Sequence, residues 1–254
     1  MNTDQSQSSP VELVQSILKS GRIELAGDEF VDIHSSIDAR EVDFISKIVR
    51  NDPGIVRSLE VGLAFGISAL AISLSKKDVN ISSHEAIDPH QRTQWKSFGL
   101  GLLDKHGIKI QLHSGYSEHV LPELCKDQKS YDLIFIDGWH TFDHTLIDLF
   151  YSTKLLRIGG YLIIDDLTFP SVKRAVDYIK NYPCYSVFDA LPFEGSNSIR
   201  RRLMRVALRV LPIGIFKPYM STVLQNKLFE PKYSMICLKK ISGDTRNWDW
   251  FRDF

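Results

Sequence analysis

The sequence is short of cysteine, of long apolar runs and of net charge, and each shortage argues against a class of protein. Its 254 residues include three cysteines, Cys125, Cys184 and Cys237. Their odd number and lack of metal-like spacing argue against a disulfide framework or a zinc site, and fit the reduced thiols of a cytoplasmic protein. No stretch approaches the roughly 18 uninterrupted apolar residues of a membrane span. Residues 1–10 are polar, with no basic segment and no apolar core, so we expect a disordered tail and no secretory signal. Lys and Arg number 31 and so do Asp and Glu, giving a formal net charge of zero. Nothing global therefore points to nucleic acid. Internal repeats and low-complexity tracts are absent too. What remains, with 43% hydrophobic residues, is enough for a single α/β domain with a real core over residues 11–254.

Two apolar runs that end in acid carry most of the information: Asp132-Leu-Ile-Phe-Ile-Asp137-Gly-Trp-His140 and Gly159-Gly-Tyr-Leu-Ile-Ile-Asp165-Asp166. Ile-rich runs bounded by Gly and Asp read as strands buried on both faces. Between them Thr145, Leu146, Leu149, Phe150, Leu155 and Leu156 recur with helical period. A strand, a helical crossover and a second strand make a right-handed parallel unit. Both strands then end at one edge of the sheet, about 5 Å apart if they are neighbours. Asp137 falls beside Asp165 and Asp166 at the carboxyl edge, where open α/β sheets bind ligands. Three converging carboxylates repel one another unless a cation or a shared proton intervenes. A hard divalent cation with oxygen ligands is the natural occupant.

Upstream, Val11, Val14, Ile17 and Leu18 space a helix ending near Gly21, and Ser36-Ile-Asp38 can cap a second helix from Ala39 to Val49. We expect these N-terminal helices, within residues 11–50, to pack on the domain rather than close over a substrate. After the Asn51-Asp-Pro-Gly54 turn comes a strand, a Gly-rich turn and a helix start, spaced Glu60-x-Gly62-x-x-x-Gly66-x-Ser68. This is the layout of a nucleotide-cofactor loop, in which glycines let the backbone approach the ligand and Ser68 helps cap the helix. It is not the Gly-x-Gly-x-x-Gly of dinucleotide folds, which argues against a nicotinamide-dependent oxidoreductase. His84-Glu-Ala-Ile-Asp88-Pro89 ends the next strand, where an acid can accept hydrogen bonds from ribose hydroxyls. Asp88 is the choice and Glu85 the reserve, with a helix-capping Asp before Pro as the plain alternative. Arg92 to His106 reads as a helix stopped at Gly107, and Lys109 to His113 as a strand. Ser114-Gly115-Tyr116-Ser117 then opens a helix through Leu124.

Taken in order, these motifs resemble those of class I S-adenosylmethionine-dependent methyltransferases. The Glu60–Ser68 loop is similar to their first motif, and Gly115 and Ser117 match a Gly-x-Ser that lines the adenine pocket of catechol-type O-methyltransferases. Catechol-type enzymes carry Asp-x-Trp-Lys after the fourth strand and Asp-Asn after the fifth; these hold Mg²⁺, and the Lys acts as base. Asp137, Trp139 and His140, then Asp165 and Asp166, stand at those positions. His for Lys and Asp for Asn depart from that pattern and agree with bacterial O-methyltransferases that resemble the macrocin and mycinamicin sugar enzymes. The resemblance covers about residues 55–166. It implies an α/β fold: a Rossmann-like seven-stranded, mostly parallel sheet with helices on both faces and an antiparallel final strand.

The resemblance further implies S-adenosylmethionine bound by Glu60, Gly62, Phe65, Gly66, Ser68, Asp88, Gly115, Ser117, Asp137 and Trp139. It implies Mg²⁺ or Mn²⁺ on Asp137, Asp165 and Asp166, and catalysis by His140 and Asp137. Coordination lowers a hydroxyl's pKa, and a neutral imidazole suits proton removal near pH 7. The expected reaction is metal-assisted O-methylation of a vicinal diol on a small acceptor, with sugar-like hydroxyls favoured. A catechol or phenolic acceptor, the oxidoreductase and a catalytically idle binding domain are the other readings. His144 is expected at the surface, and Asp143 and Asp148 as decoration of the helix. Oligomeric state stays open, a homo-oligomer being compatible, and no nucleic-acid partner is expected.

Past Pro170, Ser171 to Lys180 reads as a helix, and Tyr185 to Ala190 with Tyr233 to Lys240 as an antiparallel pair closing the sheet. Between them residues 196–230 form a basic insertion, in which Ile199 to Lys217 holds six basic residues and no acid. Arg201, Arg202, Arg205 and Arg209 share one helical face. A lid meeting an anionic acceptor is favoured there over contact with an anionic membrane. The aromatic tail, residues 247–254, can dock on the domain or on a partner.

Overall fold

The strand Tyr131–Ile136 is buried along its whole length, and the rest of the sheet is registered to it. The structure, a computed structural model, describes residues 10–34, 37–75, 83–194 and 231–253. In chain order the elements are α1 (Pro10–Ser20), β1 (Arg22–Glu24), β2 (Phe30–Asp32), α2 (Ala39–Asn51), β3 (Arg57–Val61), α3 (Ile67–Leu74), β4 (Ser83–Ile87) and α4 (Phe98–Lys105). Then follow β5 (Gln111–His113), α5 (Ser117–Lys126), β6 (Tyr131–Ile136), α6 (Phe142–Leu155), β7 (Leu156–Ile164), α7 (Pro170–Ile179), β8 (Tyr185–Pro192) and β9 (Tyr233–Lys240).

Seven strands form one sheet in the order β5-β4-β3-β6-β7-β9-β8. The five from β5 to β7 run parallel, and β9 runs antiparallel between β7 and β8. The expected architecture is thus the observed one, down to the antiparallel final strand. Alternate residues of β6 feed two apolar layers: Leu133 and Phe135 join the layer containing α1 to α4, while Ile134 and Ile136 join the layer of α5 to α7. Strand order reverses between β3 and β6, and such a switch point opens a crevice at the carboxyl edge.

At the opposite edge, Asp132 binds the start of β3. Its carboxylate accepts from the Val56 and Arg57 amides at 3.0 and 2.7 Å and from Arg157 Nε at 2.5 Å. Lys240 does the same for α6, its buried ammonium donating to the Thr153 and Leu156 carbonyls at 2.6 and 2.7 Å. Those carbonyls have no helical partner of their own.

Three sequence expectations need correction. Arg92 to His106 is not one helix; residues 89–97 run as turns and α4 begins only at Phe98. Lys96 and Ser97 take left-handed φ of 48° and 61°, because Gly99 must meet the Ala64 carbonyl and leaves no room for a Cβ, which would lie 2.5 Å from it. The β1–β2 hairpin follows α1 where no element was expected. Its strands are three residues each, too short to show a period. Nor does Ser68 cap α3, which opens on Gly66 in the left-handed conformation with no side-chain cap. The insertion 196–230, with its basic stretch 199–217, lies outside the described residues. Among those described, no helix is long and apolar enough to cross a membrane.

The C-terminal segment docks on the domain itself. Trp250 meets Tyr182 edge-on at 5.2 Å, and the Arg246 guanidinium lies 3.2 Å from the Tyr182 ring centre. At the other end of the fold, Asp38 caps α2 by accepting from the Arg40 and Glu41 amides, and Glu41 returns a bond to the Asp38 amide. Loss of such a cap costs about 1 kcal/mol. Asp38→Ala should therefore lower the melting temperature by about 2–4 °C in a domain of this size. An unchanged melting curve would show that the cap contributes nothing.

Candidate active site

The backbone ladder carries the key residues to one edge. Beyond the strand ends the Gly62 amide bonds to the Ile87 carbonyl, Asp137 to Val61 and Asp165 to Ile136, at 2.9 to 3.0 Å. Asp88, Asp137 and Asp165 therefore follow their strands at one level. Above this edge opens a cavity of about 380 Å³. Of the residues expected to hold a cofactor, Gly62, Asp88, Ser117, Asp137 and Trp139 line it, and so does His140.

Glu60, Phe65, Gly66, Ser68 and Gly115 do not line the cavity. Phe65 is in the core, edge-on to His34 at 4.9 Å and to Trp95 at 5.3 Å. The glycines serve the protein's own backbone rather than a ligand. A Cβ on Gly62 (φ +94°) would lie 2.0 Å from the Asp137 carbonyl oxygen, and one on Gly66 (φ +74°) 2.9 Å from that of Gly99. Asp88 has a similar internal duty. Its carboxylate accepts from the Leu63, Ala64 and His90 amides and from Gln91 Nε2 at 2.8 to 3.3 Å, which fixes the Gly-rich loop and uses most of its lone pairs.

Among the described residues, one group of His and acid side chains is placed to hold a metal ion: Asp137, His140 and Asp166, with candidate ligand atoms within 4.8 Å of one another. His140 takes the place expected for Asp165. Its Nε2 lies 2.8 Å from Asp166 Oδ2 and 3.6 Å from Asp137 Oδ1. Asp165 instead turns its Oδ1 to the Asp166 amide at 2.7 Å. Asp166 adopts a left-handed φ of 59°, a conformation that Asp and Asn tolerate better than other non-glycine residues. Either residue can therefore stand here.

Crowding sets the charges. Burial pushes the Asp137 carboxyl up to about 6, with Asp166 and Glu60 adding to the rise and His140 opposing it. Asp165 is held well above the usual carboxylate range by burial, then by Asp137, Glu41 and Asp166. His140 is pushed up to about 10 by Asp137 and Asp166. As it stands its imidazole is a cation and cannot accept a proton at neutral pH. The neutral base expected from the sequence exists only once those two carboxylates find another partner.

Several neighbours were invisible in the sequence. Glu41, in the first turn of α2, contributes a charge felt by Asp165 and sits against Asp166 and Ser234. Phe169, just before α7, stacks on the His140 ring at 4.7 Å, and Ser171 Oγ donates to the His140 carbonyl at 2.5 Å. The pair Phe169-Pro170 marks a helix start in sequence, but nothing there names its target. His144 lines the cavity rather than the outer surface, 4.9 Å from the Trp139 ring, and Glu118 and Tyr116 line it as well. Asp148 is no surface decoration: it is 1% exposed, behind Gly138.

A nucleoside-sized cavity at the switch point of such a sheet, with acids along its edge, is the architecture of a class I methyltransferase. Comparison with known proteins agrees. Residues 59–167 match a family model described as a methyltransferase domain. Catechol O-methyltransferase B of Danio rerio is 35% identical over 81 residues, 30% of this chain and 30% of that protein. The match thus spans under a third of that curated relative. In fold, the O-methyltransferase from Bacillus cereus solved with S-adenosylhomocysteine shows a TM-score of 0.59 at 14% identity over 94% of both chains. The O-methyltransferase TomG of Streptomyces achromogenes, involved in tomaymycin synthesis and solved with S-adenosylmethionine, also gives 0.59, at 13% identity over 94% of this chain and 92% of that one. The chain carries a methyltransferase domain of the S-adenosylmethionine-dependent class I type. The oxidoreductase reading falls away with that match.

Asp148 offers a test of the buried charge at this edge. Burial pushes its carboxyl from an ordinary 3.8 up to about 7. The folded state therefore holds the proton more tightly than the unfolded chain, and this contribution to stability fades as pH rises through about 7. Asp148→Asn removes the cost of burying the ionised form. It should raise the melting temperature at pH 8 by on the order of 5 °C over the wild type, with the gap closing towards pH 4. A constant gap across that range would refute the assignment.

Proposed function

We propose that the protein transfers a methyl group from S-adenosylmethionine to a hydroxyl oxygen of a vicinal diol, assisted by Mg²⁺ or Mn²⁺. The observation that carries this reading is the convergence of Asp137, His140 and Asp166 beside the cavity. The residues present fit both groups. Glu60 beside the loop is a buried carboxylate with no hydrogen-bond partner on either oxygen, suited to a cationic cofactor. Asp137 and Asp166, with Asp165 bracing the Asp166 amide, offer oxygens to a hard cation.

A bound divalent cation would supply Lewis acidity that lowers the pKa of the acceptor hydroxyl. Asp137 and Asp166 would hold it. Hard cations prefer oxygen to imidazole, so His140 is assigned the proton rather than the metal. With its two carboxylates neutralised, nothing keeps His140 protonated, and Nε2 becomes free to take the hydroxyl proton. Phe169 and Ser171 fix the ring and the backbone from which it acts. Trp139 and Tyr116, stacked 6.0 Å apart, wall the cavity on the side of Ser117.

A sugar-like or natural-product glycoside acceptor is favoured, because His140 and Asp166 follow the sugar-enzyme pattern. A catechol acceptor is the second reading, supported by the likeness to the Danio rerio enzyme.

Two experiments test this. Chelation should abolish methyl transfer to diol acceptors, and Mg²⁺ or Mn²⁺ should restore it; full activity in chelator would remove the metal from the mechanism. His140→Ala should lower turnover by roughly 10²- to 10⁴-fold, the range for a lost general base, while affinity for Mn²⁺ survives. Loss of Mn²⁺ binding in that variant would make His140 a ligand instead.

A further inference from the structure

Three polar side chains lie together in the apolar layer against β3 and β4, where the mechanism above makes no use of two of them. Ser58 and His84 are partners across the strands, and Glu60, two residues along β3, shares their face. Their exposures are 0% for Ser58, 3% for His84 and 0% for Glu60. Ser58 Oγ and His84 Nδ1 are 2.7 Å apart, and His84 Nε2 lies 3.6 Å from Glu60 Oε2. Neither Glu60 oxygen meets a hydrogen-bond donor.

An acid so placed is costly to the fold. Its strand neighbours at the same level, Ala86 and Phe135, offer it only hydrocarbon. What Glu60 does have is position. It stands two residues before Gly62, where the loop lining the cavity begins, and its charge reaches Asp137 on the cavity wall.

The hydrogen-bond chemistry fixes the order of the three groups. An ionised carboxylate can only accept, so the His84 nitrogen facing Glu60 carries the proton. Nδ1 must then accept the Ser58 hydroxyl hydrogen, which sets the ring's tautomer and orientation.

We propose that Ser58, His84 and Glu60 form a buried positioning relay that keeps a negative charge behind the Gly62–Ala64 loop, so that the site holds the cationic sulfonium cofactor in preference to its neutral thioether product. Glu60 supplies the charge, and His84, oriented by Ser58, is the positioning residue. Methyl transfer breaks the carbon–sulfur bond and returns its electron pair to sulfur, while the acceptor oxygen bonds the methyl carbon and its proton leaves. The cofactor thereby loses its positive charge, and the attraction of Glu60 lapses when the product must depart. This inference rests on the cofactor reading given above.

The test is calorimetry of the whole protein with S-adenosylmethionine and with S-adenosylhomocysteine, without acceptor, alongside melting curves. Glu60→Gln should reduce the sulfonium's relative affinity by about tenfold, with thioether affinity nearly unchanged. His84→Leu should move the ratio in the same direction, and His84→Gln, which keeps a donor, should restore much of it. Should the Glu60 or His84 variants fail to fold, Ser58→Ala carries the same expected direction. An unchanged ratio in folded variants, or parallel loss of both affinities with the melting temperature, overturns the relay and makes the three residues structural. A wild-type protein that binds neither molecule overturns the cofactor reading itself, and the relay with it.

Discussion

The parallel register of β3, β6 and β7 is the constraint on which the site depends. Because the ladder continues one residue past the strands, Asp137 and Asp165 cannot move apart to relieve their repulsion. Adjacent strands hold them at a spacing of about 5 Å, whatever their charge. Relief must come from protons or cations, and in this structure it comes from His140, whose imidazolium sits between Asp137 and Asp166. The histidine occupies the place a metal would take. Loading that place with a divalent cation and freeing the base are then one event, and metal binding is linked to proton release.

The acids around this edge stay in place because most are also tied to backbone. Glu41 closes the capping box of α2, Asp88 pins the Gly-rich loop, and Asp165 accepts the Asp166 amide. Each carboxylate thus has a structural duty that resists the electrostatic pressure to withdraw. The coupling runs the other way too. The α2 cap and the site share Glu41, so the N-terminal helices, which the sequence suggested were packing alone, also bear on the charge of Asp165 and Asp166.

Much of the fold was legible because a parallel sheet writes itself in the chain as short Ile-rich runs between Gly and Asp. Glu60, Asp88, Asp137 and Asp165 end such runs, so their convergence followed from topology alone. What failed was whatever depended on contacts between remote segments. The turns at residues 89–97 exist because Gly99 meets Ala64, and no local pattern announces that. Gly62 and Gly66 were read as ligand-facing glycines. They are glycines because the Asp137 and Gly99 backbones cross there, and a sequence pattern cannot distinguish the two causes. Asp148 and His144 were misjudged because helical period places a residue on a face without saying whether that face meets water or a neighbouring loop.

The two edges of the sheet carry opposite kinds of polar chemistry. At the amino edge Asp132 is fully engaged; burial would raise its carboxyl, yet Arg157 and the Val56 and Arg57 amides hold it below the ordinary range. Arg157 also reaches the Gly54 carbonyl, so one ion pair secures the starts of β3, β6 and β7 together. At the carboxyl edge the balance is reversed. Ala64 and Asp166 take left-handed backbone at φ 44° and 59°, Asp137 and Asp165 are raised rather than lowered, and Glu60 and Asp148 lack hydrogen-bond partners. Strain and unsatisfied charge of this kind persist only where the surrounding structure over-determines them. A parallel sheet is well suited to that division, since satisfied ion pairs at one end of the strands hold the register that keeps the repelling acids together at the other.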